Sequence, residues 1–247
     1  MKNFVLEVCV DSVESASEAV RGGGTRLELC ANLVIGGTTP SIFLYQEIRK
    51  QSDIPIHAII RPRFGDFCYT PNELRIMVEE IKQFRKEGAE GVVIGALSPD
   101  GCFDMDVMES LCAAAGGMNI SIHRAFDVCR DPFEALEQAN HLGVGTILTS
   151  GQKKYCLEGM ELIKELAALG KVDIMAGAGV SADIIRELRA CTGISSYHLS
   201  GKKVVDSPMI YRNTELSMGL PSLSEYELWR TEVELISAAR RVLEEID

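Results

Sequence analysis

Short apolar runs alternate with longer segments whose apolar residues recur every three or four positions, and this alternation persists down the chain. FVLEVCV (4–10) reads as a strand. In the DSVESASEAVRGG that follows, Asp11 or Ser12 serves as a helix cap, Glu14 and Glu18 suit the early turns, and Gly22–Gly24 form a stop. TRLELC (25–30) is the next strand, and the loop ANLVIGGTTP leads to a helix over about 40–51. PIHAIIRPR (55–63) is a third strand, ended by its own Pro62. Residues 72–86 carry apolar side chains at 74, 77, 78, 81 and 84, the spacing of one buried helical stripe. GVVIGAL (91–97), NISIHRAF (119–126), VGTILTSG (144–151), VDIMAGAG (172–179) and ISSYHLSG (194–201) complete the strands. Helices are expected near 104–115, 131–142, 156–169 and 181–190, and a last one over about 223–245. Only 202–221 breaks the pattern, and a loop of about 20 residues is usually functional or mobile.

Eight strands alternating with helices imply a parallel sheet, because each crossover has to carry a helix across its face. Eight such units in 247 residues are the size of a (β/α)8 TIM barrel. The expected architecture is therefore a single α/β domain over 1–247, with a doubly wound open sheet as the alternative. Hydrophobic residues make up 46% and charged residues 25% of the chain, enough for a core without disulfide staples. The formal charge of −11, with no basic block, argues against nucleic acid and anionic membranes as partners. No apolar run reaches the roughly 18 residues of a membrane span, and MKNFVLEVCVDS lacks a signal peptide's apolar stretch. A cytoplasmic location is expected. The eight cysteines are scattered without a CxxC pair, so in a reducing compartment most are read as small buried hydrophobes.

In a barrel, alternate strand residues face inward and chemistry collects at the carboxy ends of the strands. A period of two puts Glu7 and Cys9 on one face of the first strand, Arg26, Glu28 and Cys30 on the second, and His57, Ile59 and Arg61 on the third. Ser121 and His123 share a face on the fifth, with Arg124, Phe126 and Asp127 beyond; His198 and Ser200 end the eighth. Isolated buried charges cost several kcal/mol, so Glu7, Arg26, Glu28 and Arg61 are expected to pair. They form either a site or a plug of salt bridges closing the barrel. His57, earlier in its strand, suits a hydrogen-bonded core histidine equally well.

Cys9 and Cys30 each follow a glutamate by two residues and end adjacent strands, which lie about 4.8 Å apart. Two thiolates without another soft donor favour Cu(I); two thiols packed side by side are the bland alternative. MAGAGVSAD (175–183) and LSGKK (199–203) form small-residue turns after the seventh and eighth strands. They mark Gly177, Gly179, Ser200 and Lys202 as a candidate anion site, or as tight turns that need glycine.

LEVCVDSVESA (6–16), RLELCANL (26–33), GGTTPS (36–41), IRPRFGDFCY (60–69), IHRAFDVCRDP (122–132), ILTSGQ (147–152) and LEGMELI (157–163) resemble the CutC family of copper homeostasis proteins across nearly the whole chain. The resemblance implies a (β/α)8 barrel, a cytoplasmic homo-oligomer (dimer or tetramer) and a role in copper homeostasis, with Cu(I) binding at the positions of Cys9 and Cys30. The sequence departs from the family pattern at MAGAG (175–179, for MPGGG), at Phe64 (RPRFGDF for RPRGGDF) and around Gly201–Lys202, where an arginine is usual.

Two functions follow. In one, Cys9 and Cys30 hold Cu(I) for buffering or delivery. In the other, Glu7, Glu28, Arg26, Arg61, His123 and Asp127 form an acid–base site for a small polar or anionic substrate, one glutamate as base and His123, oriented by Asp127, as its proton partner.

Overall fold

A computed structural model describes residues 4–246 apart from 214, 217, 221 and 222. The strands β1 (Val5–Val10), β2 (Arg26–Leu29), β3 (Ile56–Ile59), β4 (Gly91–Ile94), β5 (Asn119–Ile122), β6 (Thr146–Thr149), β7 (Asp173–Ala176) and β8 (Ser196–Leu199) pair in sequence order. β8 returns to pair in parallel with β1, Glu7 lying opposite His198, and closes the barrel. The open sheet is thereby excluded.

The crossovers carry α1 (Val13–Arg21), α2 (Ile42–Arg49), α3 (Pro71–Lys86), α4 (Met105–Ala115), α5 (Pro132–His141), α6 (Met160–Ala168) and α7 (Ala182–Thr192). Their starts are written in the sequence. The Ser12 side chain accepts from the Ser15 amide. Thr70 and Glu73 form a reciprocal capping box ahead of Pro71, and Ser181 accepts from the Ile184 amide.

Two layers of burial follow from the strand period of two. Leu6, Val8, Val10, Leu27 and Leu29 face outward into the large apolar core shared with the helices. Cys9, Cys30, Ile59 and Val93 form a separate small cluster inside the barrel. Gly22 ends α1 where α8 (Val233–Ile246) crosses it; a β-carbon there would lie 2.5 Å from Ile236 Cβ.

The end of the chain differs from the sequence reading. Residues 202–221 are not simply a loop, and no helix starts at 223. β9 (Lys202–Asp206) pairs antiparallel with β10 (Glu227–Thr231), and the final helix begins only at Val233. The stretch EYELWRTEVELI (225–236) fits a helical period, but its first half is taken by strand pairing, Trp229 opposite Val204. The Thr231 hydroxyl donates to the Ser200 carbonyl at 3.0 Å and its amide to Ser15 Oγ at 3.2 Å, tying the hairpin to the barrel.

Candidate functional site

The site grows out of strand register. Glu7 lies beside Arg26 on one side and His198 on the other, and Cys9 lies beside Glu28. One Glu7 oxygen accepts from Arg26 Nε at 2.6 Å, and the other from His198 Nδ1 at 2.8 Å. Burial pushes the Glu7 carboxyl up, but Arg26 and His198 outweigh it and hold the pKa at about 2. His198 is raised in turn: burial opposes its charge, and the Cys9 sulfur with the Glu28 and Glu7 carboxylates overcomes that opposition. Glu28 is pushed up by burial, with His198 opposing. This floor thus holds a fixed anion, a fixed cation and groups between which one proton can move.

Cys9 Sγ, a Glu28 oxygen and a His198 ring nitrogen lie within 4.8 Å of one another. Cys30 is not in that trio. Its thiol donates to Glu28 Oε2 at 3.4 Å, and burial followed by the Glu28 charge pushes its pKa well up. The expected pair of sulfurs is therefore present in one cluster, but the donor group that can close on a metal is Cys9, Glu28 and His198. His198 has the orientation of a metal ligand, since Nδ1 is fixed by a carboxylate while Nε2 lies 3.8 Å from Glu28 Oε2.

Above the floor is a cavity of about 620 Å³, whose lining includes Cys9, Glu28, Arg61, Phe67, His123 and His198. Arg61 is only 7% exposed. Its guanidinium donates to the carbonyls of Ile35 (3.4 Å), Gly37 (3.0 Å) and Gly65 (2.8 Å) and lies 5.0 Å from the centre of the Phe67 ring. That ring is in turn 5.0 Å from the His123 ring. His123 Nδ1 accepts from the Ala125 amide at 3.2 Å, so the ring's hydrogen sits on Nε2. Burial, followed by the Arg61 charge, lowers the His123 pKa to about 3 and keeps the ring neutral. Room for both inner histidines comes from glycine: a β-carbon at Gly91 would lie 2.5 Å from the His57 ring, and one at Gly95 2.7 Å from His123 Cε1. His57 contacts Ser121 Oγ at 3.4 Å, and burial with the Arg26 charge lowers it to about 4.

At the rim, Gly179, Ser200 and Lys202 line the cavity, whereas Gly177 does not. Gly177 is packed into the wall, where a β-carbon would lie 2.5 Å from Leu148 Cδ1. Ala178 adopts φ +71°, in the left-handed region, at a position where the family pattern carries glycine. The Lys202 ammonium sits 3.6 Å from the centre of the Trp229 ring, a contact the helical reading of 223–245 concealed.

Asp127 does not orient His123. Its carboxylate accepts from Thr149 Oγ1 (2.5 Å), the Ser150 amide and hydroxyl (3.0 Å each) and the Gln152 amide (3.2 Å), and pairs with Arg124 at 2.7 Å. It anchors the loop after β6, while His123 is oriented by the turn that follows it. Neither Glu7 nor Arg26 lines the cavity; Glu7 reaches it through His198, and Arg26 pairs with Glu7. Sequence reasoning placed His198 at a strand end but gave it no role, because its partner Glu7 is 191 residues away.

Three side chains on the cavity wall carry a buried polar atom without a hydrogen-bond partner among the described residues: Glu28 Oε1, Arg61 Nε and His123 Nε2. A plug of salt bridges would have satisfied them. The fold and this floor define a (β/α)8 barrel with a polar acid, thiol and imidazole pocket at the carboxy rim. The CutC family model matches residues 4–203. A CutC family protein of Bacteroides fragilis is 45% identical over 234 residues, 92% of each chain. The human copper homeostasis protein cutC homolog is 40% identical over 246 residues, 98% of this chain and 90% of that one. A crystal structure assigned to CutC of Streptococcus agalactiae superposes with a TM-score of 0.76 at 31% identity, covering 80% of this chain and 98% of that one. The chain belongs to the CutC family of copper homeostasis proteins.

Proposed function

We propose that this protein handles copper in the cytoplasm, taking Cu(I) as cargo on Cys9 and His198 at the floor of the barrel mouth, with Cys30 as a second sulfur. The observation that carries the reading is the approach of Cys9 Sγ, a Glu28 oxygen and a His198 ring nitrogen to within 4.8 Å of one another. An ion bridging two donors at about 2.0–2.3 Å each needs them roughly 4 Å apart, so donors within 4.8 Å need only a small adjustment to close on it. Thiolate and imidazole suit Cu(I) better than a carboxylate does, which leaves Glu28 as the group that takes the Cys30 or Cys9 proton. No helix of the described residues is long and apolar enough to cross a membrane. The homo-oligomer implied by the resemblance belongs to the same reading.

The test is an anaerobic competition titration against a Cu(I) chelator. Cys9→Ser is expected to weaken binding at least a hundredfold and Cys30→Ser less. Wild-type affinity in the Cys9→Ser/Cys30→Ser double variant would overturn the reading.

A second reading, acid–base chemistry on a small molecule, draws on Glu28, whose carboxyl is raised by burial and carries one unpartnered oxygen. It requires Glu28→Gln to abolish a function that Cys30→Ser spares.

A further inference from the structure

Beside the thiol floor, the cavity lining includes a group of side chains that copper does not explain: Arg61, Phe67 and His123. Arg61 is buried, and among the described residues no carboxylate pairs with it; its hydrogen-bond partners are three backbone carbonyls, each neutral. A buried guanidinium without a counter-charge is costly, and proteins keep one where something else brings the anion. Two N–H donors on this wall are unpartnered, Arg61 Nε and His123 Nε2. Both belong to side chains that flank one ring, Phe67, at 5.0 Å each. The two groups are held in place before any ligand arrives, Arg61 by the Ile35, Gly37 and Gly65 carbonyls and His123 by the Ala125 amide.

The imidazole is neutral and its Nε2 hydrogen has no partner, so it complements an acceptor oxygen rather than a cation. Glu28, which also lines the cavity, carries an acceptor, Oε1, that lacks a donor. The unfilled set is thus one buried positive charge, two N–H donors and one acceptor oxygen. A volume of about 620 Å³ is that of a small-molecule site.

We infer that the Arg61–Phe67–His123 wall binds the oxyanion of a small hydroxylated organic acid, whose hydroxyl donates to Glu28. The oxyanion supplies the charge Arg61 lacks and accepts from His123 Nε2, and the hydroxyl satisfies the remaining oxygen. A carboxylate and a phosphate monoester share this chemistry. A bare metal ion does not, since it offers Arg61 no negative charge and His123 no acceptor. The inference rests on the small-molecule reading of Glu28 and shares that residue with the metal trio, but its charge and its two donors come from Arg61 and His123, which lie outside the trio.

The experiment is calorimetric titration of the metal-free full chain with glycerate, malate, glycerol 3-phosphate, inorganic phosphate and neutral glycerol. Binding is expected for glycerate or malate, or for glycerol 3-phosphate, and the preferred member distinguishes the carboxylate from the phosphate. Glycerol should not bind. His123→Phe should weaken the best ligand ten- to a hundredfold with its unfolding midpoint checked alongside, and Arg61→Lys, which keeps the charge but loses the fork, should weaken it as well. Cys9→Ser should bind the organic anion as wild type does, and His123→Phe should retain the Cu(I) affinity, so each reading can fail alone. The inference is overturned if no anion of the panel binds at millimolar concentration, if glycerol binds as tightly as glycerate, or if a folded His123→Phe binds unchanged.

Discussion

Glu7 accepts from His198 Nδ1 at 2.8 Å across the seam where the last barrel strand meets the first. The same carboxylate takes Arg26 Nε at 2.6 Å on its other oxygen. One anion 1% exposed therefore neutralises a guanidinium, fixes an imidazole and closes the barrel. Removing one partner of a buried ion pair typically costs about 3–5 kcal/mol, because the other charge stays buried alone. Glu7→Gln is expected to lose that much in urea denaturation. Coupling between Glu7→Gln and His198→Gln in a double-mutant cycle should exceed about 1 kcal/mol. Additive effects of the two substitutions would show that the hydrogen bond does not hold the seam.

Acid should destabilise this fold earlier than carboxylate titration alone requires. His57 and His123 are held neutral by burial, with pKa values near 4 and 3, while an unfolded histidine takes up its proton near 6.5. Stability is therefore complete above about pH 6.5 and falls below it by up to about 1.4 kcal/mol per pH unit for each imidazole. Glu7, depressed to about 2 from 4.5, adds a further loss only below about pH 4.5. Glu28 is raised and works in the opposite sense just above that value. His198 is raised too; its contribution is complete below 6.5 and is lost on the alkaline side. Urea midpoints should decline from about pH 6.5 to 5, with His198 acting in the opposite sense above that range, and His123→Phe should flatten the slope by about one proton. A flat profile over that range contradicts neutral buried imidazoles.

Much of this architecture is legible from local pattern. The alternation of apolar runs with amphipathic segments gives the eight strands, and the period of two puts Glu7 with Cys9 and Glu28 with Cys30 on inward faces, because each relationship lies within one strand. What escapes local reading depends on closure. His198 becomes central only when β8 pairs with β1, and Phe67 becomes the plate between Arg61 and His123 only when the loop after β3 folds over the mouth. The glycines at 91 and 95 read as ordinary strand residues, yet each makes room for a histidine from a neighbouring strand. The β9–β10 hairpin is hidden in the sequence because EYELWRTEVELI fits a helical period as well as a strand. Proximity in sequence suggests Asp127 as the partner of His123, whereas its partners are Arg124 and backbone and hydroxyl groups 22–25 residues on.

The turn after β7 carries a small, testable strain. Ala178 sits at φ +71° and its carbonyl accepts from the Cys156 amide at 2.9 Å, which holds the backbone there. A β-carbon in left-handed backbone costs roughly 1–2 kcal/mol, and glycine returns part of that gain through its freer unfolded chain. Ala178→Gly is expected to stabilise the protein by about 0.5–1 kcal/mol, and Ala178→Val to destabilise it by more than that. If glycine lowers the urea midpoint, the alanine methyl makes a packing contribution larger than the strain.

Asp127 gives the last prediction, on local order rather than on chemistry. Its carboxylate, 5% exposed, collects the Thr149 hydroxyl, the Ser150 amide and hydroxyl, the Gln152 amide and Arg124. Gln152 itself is held at φ +57°. Without that acceptor, the Ser150 and Gln152 amides and the Thr149 hydroxyl lose their partner together, while the Ser150 hydroxyl keeps the Lys153 carbonyl at 2.6 Å; each buried donor left unsatisfied costs about 1–3 kcal/mol. Asp127→Ala should therefore speed amide hydrogen exchange in residues 149–153 by at least tenfold while leaving the amides of β1 and β2 protected. Asp127→Asn, which keeps one acceptor oxygen, should fall between the two. Organic-anion binding at the Arg61–His123 wall should survive both substitutions. Its loss would return Asp127 to the site from which its hydrogen bonds separate it.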